Sequence, residues 1–206
     1  MLADNEAVAL AAAAHALALP VFYPHTTEAE SCLSLRLTSR DLRASAGRIE
    51  ESGAAILLEA RRASWEKRLP AEAGQLFDWL LAQDAATVTC LIGFCAALSI
   101  DAVQAKADRA DCLRLVHADE LAAAAGLDMA AWWEPTGERY LARVSKALIL
   151  EAVSESVSPQ AAENFAGLKK DRLVECAAAR LARRGWLPAP LRGPACPERQ
   201  IEELAA

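Results

Sequence analysis

Residues 84–100 read DAATVTCLIGFCAALSI. Asp84 carries the short acceptor side chain that captures the first free amides of a helix. No charged residue follows it before Asp101, and Val88, Leu91, Ile92, Phe94, Cys95, Leu98 and Ile100 recur at helical steps. A helix without charge on any side has to be covered by other elements, so this segment is expected at the centre of a helical core.

The flanking segments supply the cover. Ser52 opens a run through Ile56, Leu57, Ala60, Trp65 and Leu69 that Pro70 follows, and Gln75 to Gln83 carries Leu76, Phe77, Trp79 and Leu80 in helical spacing. Both read as core helices. Nearer the start, Asp4 can cap a helix reaching about Leu19, where Pro20 is the expected stop, followed by a turn-rich connection over 21–25. Between them only 32–38, CLSLRLT, alternates apolar with polar residues. It reads as one short strand, or as an extended segment lying on helices, because a lone strand leaves its own backbone groups unpaired.

Downstream, residues 104–111 form a polar break and mark a boundary between two lobes. Residues 118–125 then read as a helix ended by Gly126, and Asp128 as the cap of a short turn holding Trp132 and Trp133. A long helix is expected over about 137–157, another from Ser158-Pro159, and a last one from about Lys170 to Arg184, closed by Gly185. With 48 Ala and 29 Leu against 9 Gly and 9 Pro, composition agrees, since Ala and Leu lose little on entering a helix. The expected fold is all-α: an Ala/Leu-rich multi-helix bundle in two packed lobes. Residues 1–104 would form an acidic lobe, 105–192 a lobe with basic C-terminal helices, and 193–206 a flexible tail.

Targeting signals point the same way. The apolar stretch from Ala7 to Leu19 is too short to span a bilayer, and Asp4 and Glu6 stand where a secretory signal needs positive charge. No membrane association and a cytoplasmic location are expected. The six cysteines are scattered without a disulfide-like spacing, so they are expected to be reduced.

Catalytic signatures are missing from the sequence. The nine glycines are isolated, with no Gly-x-Gly, no phosphate loop and no nucleophile elbow. His15, His25 and His117 lie far apart, no Cys-x-x-Cys occurs, and Cys90 and Cys95 point about 140° apart on a helix. Both cysteines read as buried thiols, and His117 with Asp119 and Glu120 as the start of a surface helix. Neither enzymatic activity nor a cofactor nor a metal is expected.

The distribution of charge is more informative than its total of −6. Residues 1–136 hold 11 Lys/Arg and 19 Asp/Glu, whereas 137–192 hold 10 and 6, a net of +4. On continuous helices, Arg139, Arg143 and Lys146 would fall within about 60° of one another, and Lys169, Arg172, Arg180 and Arg183 within about 80°. Tyr140, Val144, Ala147 and Leu148 would then face the core. Together with Lys170, these basic residues make a candidate surface for the phosphates of double-stranded DNA, while also being what keeps an amphipathic helix soluble. Trp132, Trp133 and Trp186 read as core fillers.

Six stretches add a family likeness: VALAAAAHALALPVFY (8–23), ESCLSLR (30–36), FDWLL (77–81), HADELAAAAGLDMAAWW (117–133), YLARVSKALILE (140–151) and AGLKKDRLVECAAARLARRGWLP (166–188). In this order they resemble the C-terminal region of the long ParB-like chromosome and plasmid partition proteins of alphaproteobacteria. In that family a nucleotide-binding domain and a central helix-turn-helix reader precede the region, and neither is expected within these residues. GERY at 137–140 is similar to the Gly-Glu-Arg-Arg phosphate-contacting motif of the family's nucleotide-binding domain, but its setting at an expected helix start makes the likeness coincidental. The resemblance implies a C-terminal module for self-association as a homodimer, for docking another partition-complex protein, or for accessory DNA contact.

Overall fold

A computed structural model describes residues 2–43, 46, 48–109 and 111–192. The expected tail over 193–206 lies outside the described residues. Among these, eight α-helices and no strand occur: α1 Glu6–Phe22, α2 Gly53–Glu66, α3 Leu76–Leu81, α4 Ala85–Ala97, α5 Leu113–Ala124, α6 Lys146–Ser156, α7 Pro159–Phe165 and α8 Lys170–Leu181. The all-α expectation holds. The short strand expected near 32–38 does not form; this stretch is irregular, with Leu37 half-buried against helices, because no second strand is there to pair with it.

Local chemistry sets most helix starts. Ser52 accepts from the Ala55 amide, Asp84 from Thr87, Ser145 from Leu148 and Ser158 from Ala161. Each satisfies a donor that the first helical turn leaves free. At α1 the cap is Asn5, bonded to the Val8 amide at 3.2 Å, not Asp4. Nor does Pro20 end that helix: α1 runs on to Phe22, and the Tyr23 amide still reaches Leu19 O at 2.9 Å. Tertiary contacts hold the last turn, with Phe22 stacked near Phe94 at 5.9 Å and the Tyr23 hydroxyl donating to Pro70 O.

The chain divides into two compact units, 1–115 and 116–206. In unit one, α1 packs on α3 and α4. Leu76, Leu80, Leu91 and Cys95 are fully buried there, with Trp65 and Phe94 nearly so. The charge-free segment 84–100 joins this core through Val88, Leu91, Phe94 and Cys95, but it is not covered on every side as expected: Cys90, Gly93, Ala96 and Ala97 are exposed and Ile100 is 51% exposed, because α1 packs against one face of α4. α2 departs from the reading as a core helix. Of its apolar residues only Trp65 is buried, whereas Ile56 and Leu57 are 58% and 56% exposed, because among the described residues no element covers the first half of α2.

Unit two has a smaller core of Leu141, Ile149, Ala152, Val153, Leu173, Ala177 and Leu181. α6 packs on both α7 and α8. The expected continuous helix over 137–157 is broken. Residues 137–140 are a turn, Leu141–Arg143 a single 3-10 turn, Val144 is extended and α6 begins only after Ser145. A serine whose hydroxyl caps from outside the helix cannot also sit within one, so its local bond wins over periodicity. Ala147 and Leu148 consequently face solvent, and Ile149, Ala152 and Val153 fill the core instead.

Candidate nucleic-acid interface

Because 137–146 is not one helix, Arg139, Arg143 and Lys146 do not form a helical stripe. Arg139 is exposed in the turn, its amide bonded to Thr136 Oγ1 at 3.2 Å. Arg143 ends the 3-10 turn and is also exposed. Lys146 serves the fold itself, since its Nζ donates to Leu168 O at 2.6 Å and Ala166 O at 3.3 Å, covering carbonyls beyond the end of α7.

The last helix is also shorter than expected. α8 ends at Leu181, and Arg183 lies past it in a left-handed conformation, φ 59°, so it leaves the arc of Lys169, Arg172 and Arg180. Gly185 follows at φ 65°, the conformation that suits glycine there. Lys169 is the N-cap residue and makes no side-chain cap, Lys170 opens the helix, and Arg172 pairs with Glu175 at 2.6 Å. Lys170 and Arg180 stand about 15 Å apart along the axis.

Packing nevertheless brings the turns bearing Arg139 and Arg143 against α8, and the other six lie on that helix or at its two ends. Lys146, bonded to Leu168 O, stands beside Lys169 and Lys170 at the N-terminal end. The turn bearing Arg139 lies against the middle of α8, where a Cβ at Gly137 would meet Val174 Cγ1 at 3.3 Å. The 3-10 turn ending in Arg143 packs on α8 as well. Arg139, Arg143, Lys169, Lys170, Arg180 and Arg183 are exposed, and none makes a side-chain hydrogen bond or ion pair with another described residue.

Two further arginines of the basic region are taken up by the fold. Arg184 donates to Ser156 O at 3.0 Å, and Arg192 donates to Leu187 O at 2.7 Å and pairs with Glu155. Glu155 also accepts from Trp186 Nε1 at 2.8 Å, and these donors hold its carboxyl below the usual range. Trp186 extends a row through Tyr140 to Trp133, with ring centroids 5.8 Å apart at each step. Trp133 and Trp186 are half-buried, but Trp132 is 43% exposed, contrary to its reading as a core filler. Glu155 meets Trp186 across 31 residues and Arg192 across 37, a pairing with no local sequence signal.

Groups with catalytic potential are dispersed. Cys95 is buried in unit one, where desolvation pushes its thiol up to about 11, while Cys90 is exposed, contrary to its reading as a buried thiol. His15 packs edge-on against Phe77 at 5.6 Å, and partial burial lowers its pKa. No group of three or more His, Cys, Asp or Glu that could hold a metal occurs among the described residues. An open depression of about 400 Å³ beside Tyr23, His25 and Glu28 contains no cysteine or serine. No helix among the described residues is long and apolar enough to cross a membrane. No family model, curated protein or solved structure matches the chain.

Proposed function

We propose that this chain is a non-enzymatic C-terminal domain of a ParB-like partition protein, working in the cytoplasm at the nucleoid by sequence-independent contact with double-stranded DNA. The observation that carries the DNA role is the set of six exposed basic side chains on or next to α8 that pair with no other described residue. Free Lys and Arg side chains neutralise phosphates and release their counterions, which supplies affinity without reading bases. Lys146 and Arg172 add charge nearby while keeping their own partners. The partition assignment is supported by the ordered motifs from 8–23 to 166–188.

Fluorescence anisotropy of a labelled random duplex at several salt concentrations tests the DNA role. Binding should weaken steeply with salt, by a log–log slope of about 0.9 per phosphate contact. Replacing Arg143→Glu and Lys170→Glu together should weaken it further and flatten the slope. Equal binding by parent and double variant would remove this surface from the reading.

A second role, self-association or docking to another partition component, is favoured by apolar residues left uncovered. Ile56, Leu57 and Leu58 are exposed on α2, and α5 buries none of its residues and leaves Leu113 82% exposed. Light scattering at tens of micromolar should report a dimer that Ile56→Asp with Leu57→Asp dissociates. A monomer throughout would exclude the homodimer.

A further inference from the structure

Of the ten Lys and Arg in 137–192, Arg172 and Arg192 are matched by a carboxylate among the described residues. Arg172 pairs with Glu175 one turn along α8, a contact that the helix makes locally. Arg192 pairs with Glu155 of α6 across 37 residues, so the fold itself brings that pair together. We propose that Glu155 is an internal stand-in for a DNA phosphate: it occupies Arg192 and withholds this cation from the basic surface, an autoinhibitory contact that duplex DNA opens. Such regulation rests on the DNA reading above and acts on the same surface.

The pair stands beside that surface. Arg184 donates to Ser156 O at 3.0 Å, and Ser156 follows Glu155 at the end of α6. Arg183, one of the six exposed cations, directly precedes Arg184. The carboxylate of Glu155 therefore belongs to the neighbourhood of the C-terminal end of α8.

Arg192 is held by three groups. Its Nε donates to Leu187 O at 2.7 Å, its guanidinium carbon lies 5.7 Å from the Trp186 ring centroid, and a terminal nitrogen donates to Glu155 Oε2. Of these three partners Glu155 is the one that carries charge, so it is the one that cancels the cation. Trp186 Nε1 donates to the same carboxylate at 2.8 Å and, ahead of Arg192, holds its pKa below the usual range, which keeps it charged at neutral pH.

The hold is exchangeable. The side chains of Arg192 and Glu155 are 47% and 38% exposed, so a phosphate oxygen can reach the guanidinium while the carboxylate is still in place. An ion pair this exposed is weak, because water and salt compete with it. The backbone around it is anchored separately, with Pro188 buried and Trp186, Leu187 and Leu191 half-buried. Exchanging one acceptor for another thus needs side-chain motion alone. By linkage, whatever loosens Glu155 from Arg192 tightens DNA binding, and DNA loosens the pair in turn.

The test measures binding of the whole chain to a labelled random duplex at several salt concentrations. Glu155→Gln keeps an acceptor for Trp186 Nε1 but loses the charge; it should tighten binding about three- to tenfold and steepen the log–log salt slope by about 0.9, one phosphate more. Glu151→Gln, an equal charge change one turn earlier on α6 with no cation to release, should change affinity less than about twofold. Adding Arg192→Ala to Glu155→Gln should return the affinity to within about twofold of the parent. Without DNA, phenylglyoxal should modify Arg192 about threefold faster in Glu155→Gln than in the parent, as read by peptide mass spectrometry. Unchanged affinity or an unchanged labelling rate in Glu155→Gln overturns the autoinhibition and leaves the DNA reading intact. A gain that survives Arg192→Ala, or that Glu151→Gln shares, does the same. No binding by parent or variants at low salt overturns both.

Discussion

α1 in unit one and α8 in unit two are both rich in alanine, yet they are used in opposite ways. α1 carries one charged residue, Glu6, in its first turn, and buries Ala11, Ala14, Ala16, Ala18 and Leu19 on several sides of its cylinder. α8 carries five charged residues, Lys170, Asp171, Arg172, Glu175 and Arg180, and buries a single stripe. Alanine allows two helices to approach closely wherever nothing charged intervenes, so a helix without charge becomes the centre of its unit. Charge on most of the circumference confines burial to one edge and leaves the remainder for solvent or a partner. Of these two helices, the one with more exposed surface is therefore α8 and not the more hydrophobic α1.

The contrast is tested most severely in the cores. Leu91→Ala in unit one and Leu173→Ala in unit two each remove a fully buried side chain. Each should cost about 2–5 kcal/mol in chemical denaturation followed by tryptophan fluorescence, combining lost transfer energy with the cavity left behind. A cost below about 1 kcal/mol for Leu173→Ala would mean that α8 is not anchored by its stripe.

A paired substitution sharpens the comparison at the alanines. Ala18→Leu enlarges a fully buried position of α1 and should destabilise by about 1–3 kcal/mol through overpacking. Ala179→Leu on the exposed face of α8 should stay within about 0.5 kcal/mol. Similar thermal denaturation shifts for both would erase the proposed difference in enclosure.

The smallest expected effect is a pH dependence confined to unit one. His15 on α1 titrates at 6.5 when unfolded and lower when folded, because burial disfavours the imidazolium. Between the two values the unfolded chain binds more protons, so this stability contribution is complete above 6.5 and declines as pH falls through 6.5 towards the folded value. His15→Gln should flatten the stability profile between about pH 5 and 7. An unchanged slope would assign the acid sensitivity to other groups.

Much of the fold was legible wherever one residue decides a local outcome. Ser52, Asp84 and Ser158 cap helices where their side chains predict it, and Gly126 and Gly185 take positive φ where helices give way to turns. Periodicity misled where it spoke for burial. It groups Ile56 with Ala60 on one face of α2, but whether anything lies against that face depends on elements distant in sequence. Over 137–157, apolar spacing compatible with one helix concealed Ser145, whose cap starts α6 afresh. The candidate basic residues were legible as a charge excess, but not as a surface.

The sequence by itself determined an all-α chain, the helix within the charge-free 84–100 segment and a basic region at 137–192, because helix propensity, capping and net charge are local or additive. Only the tertiary structure decided that Gly137 rests against Val174, that Lys146 reaches Leu168 O and that Glu155 takes up Arg192, leaving other cations exposed around α8. The physical reason is that a side chain's partners are set by which backbones come within a few ångströms of one another. In these cases they lie 22 to 37 residues apart in sequence, beyond the reach of helical periodicity.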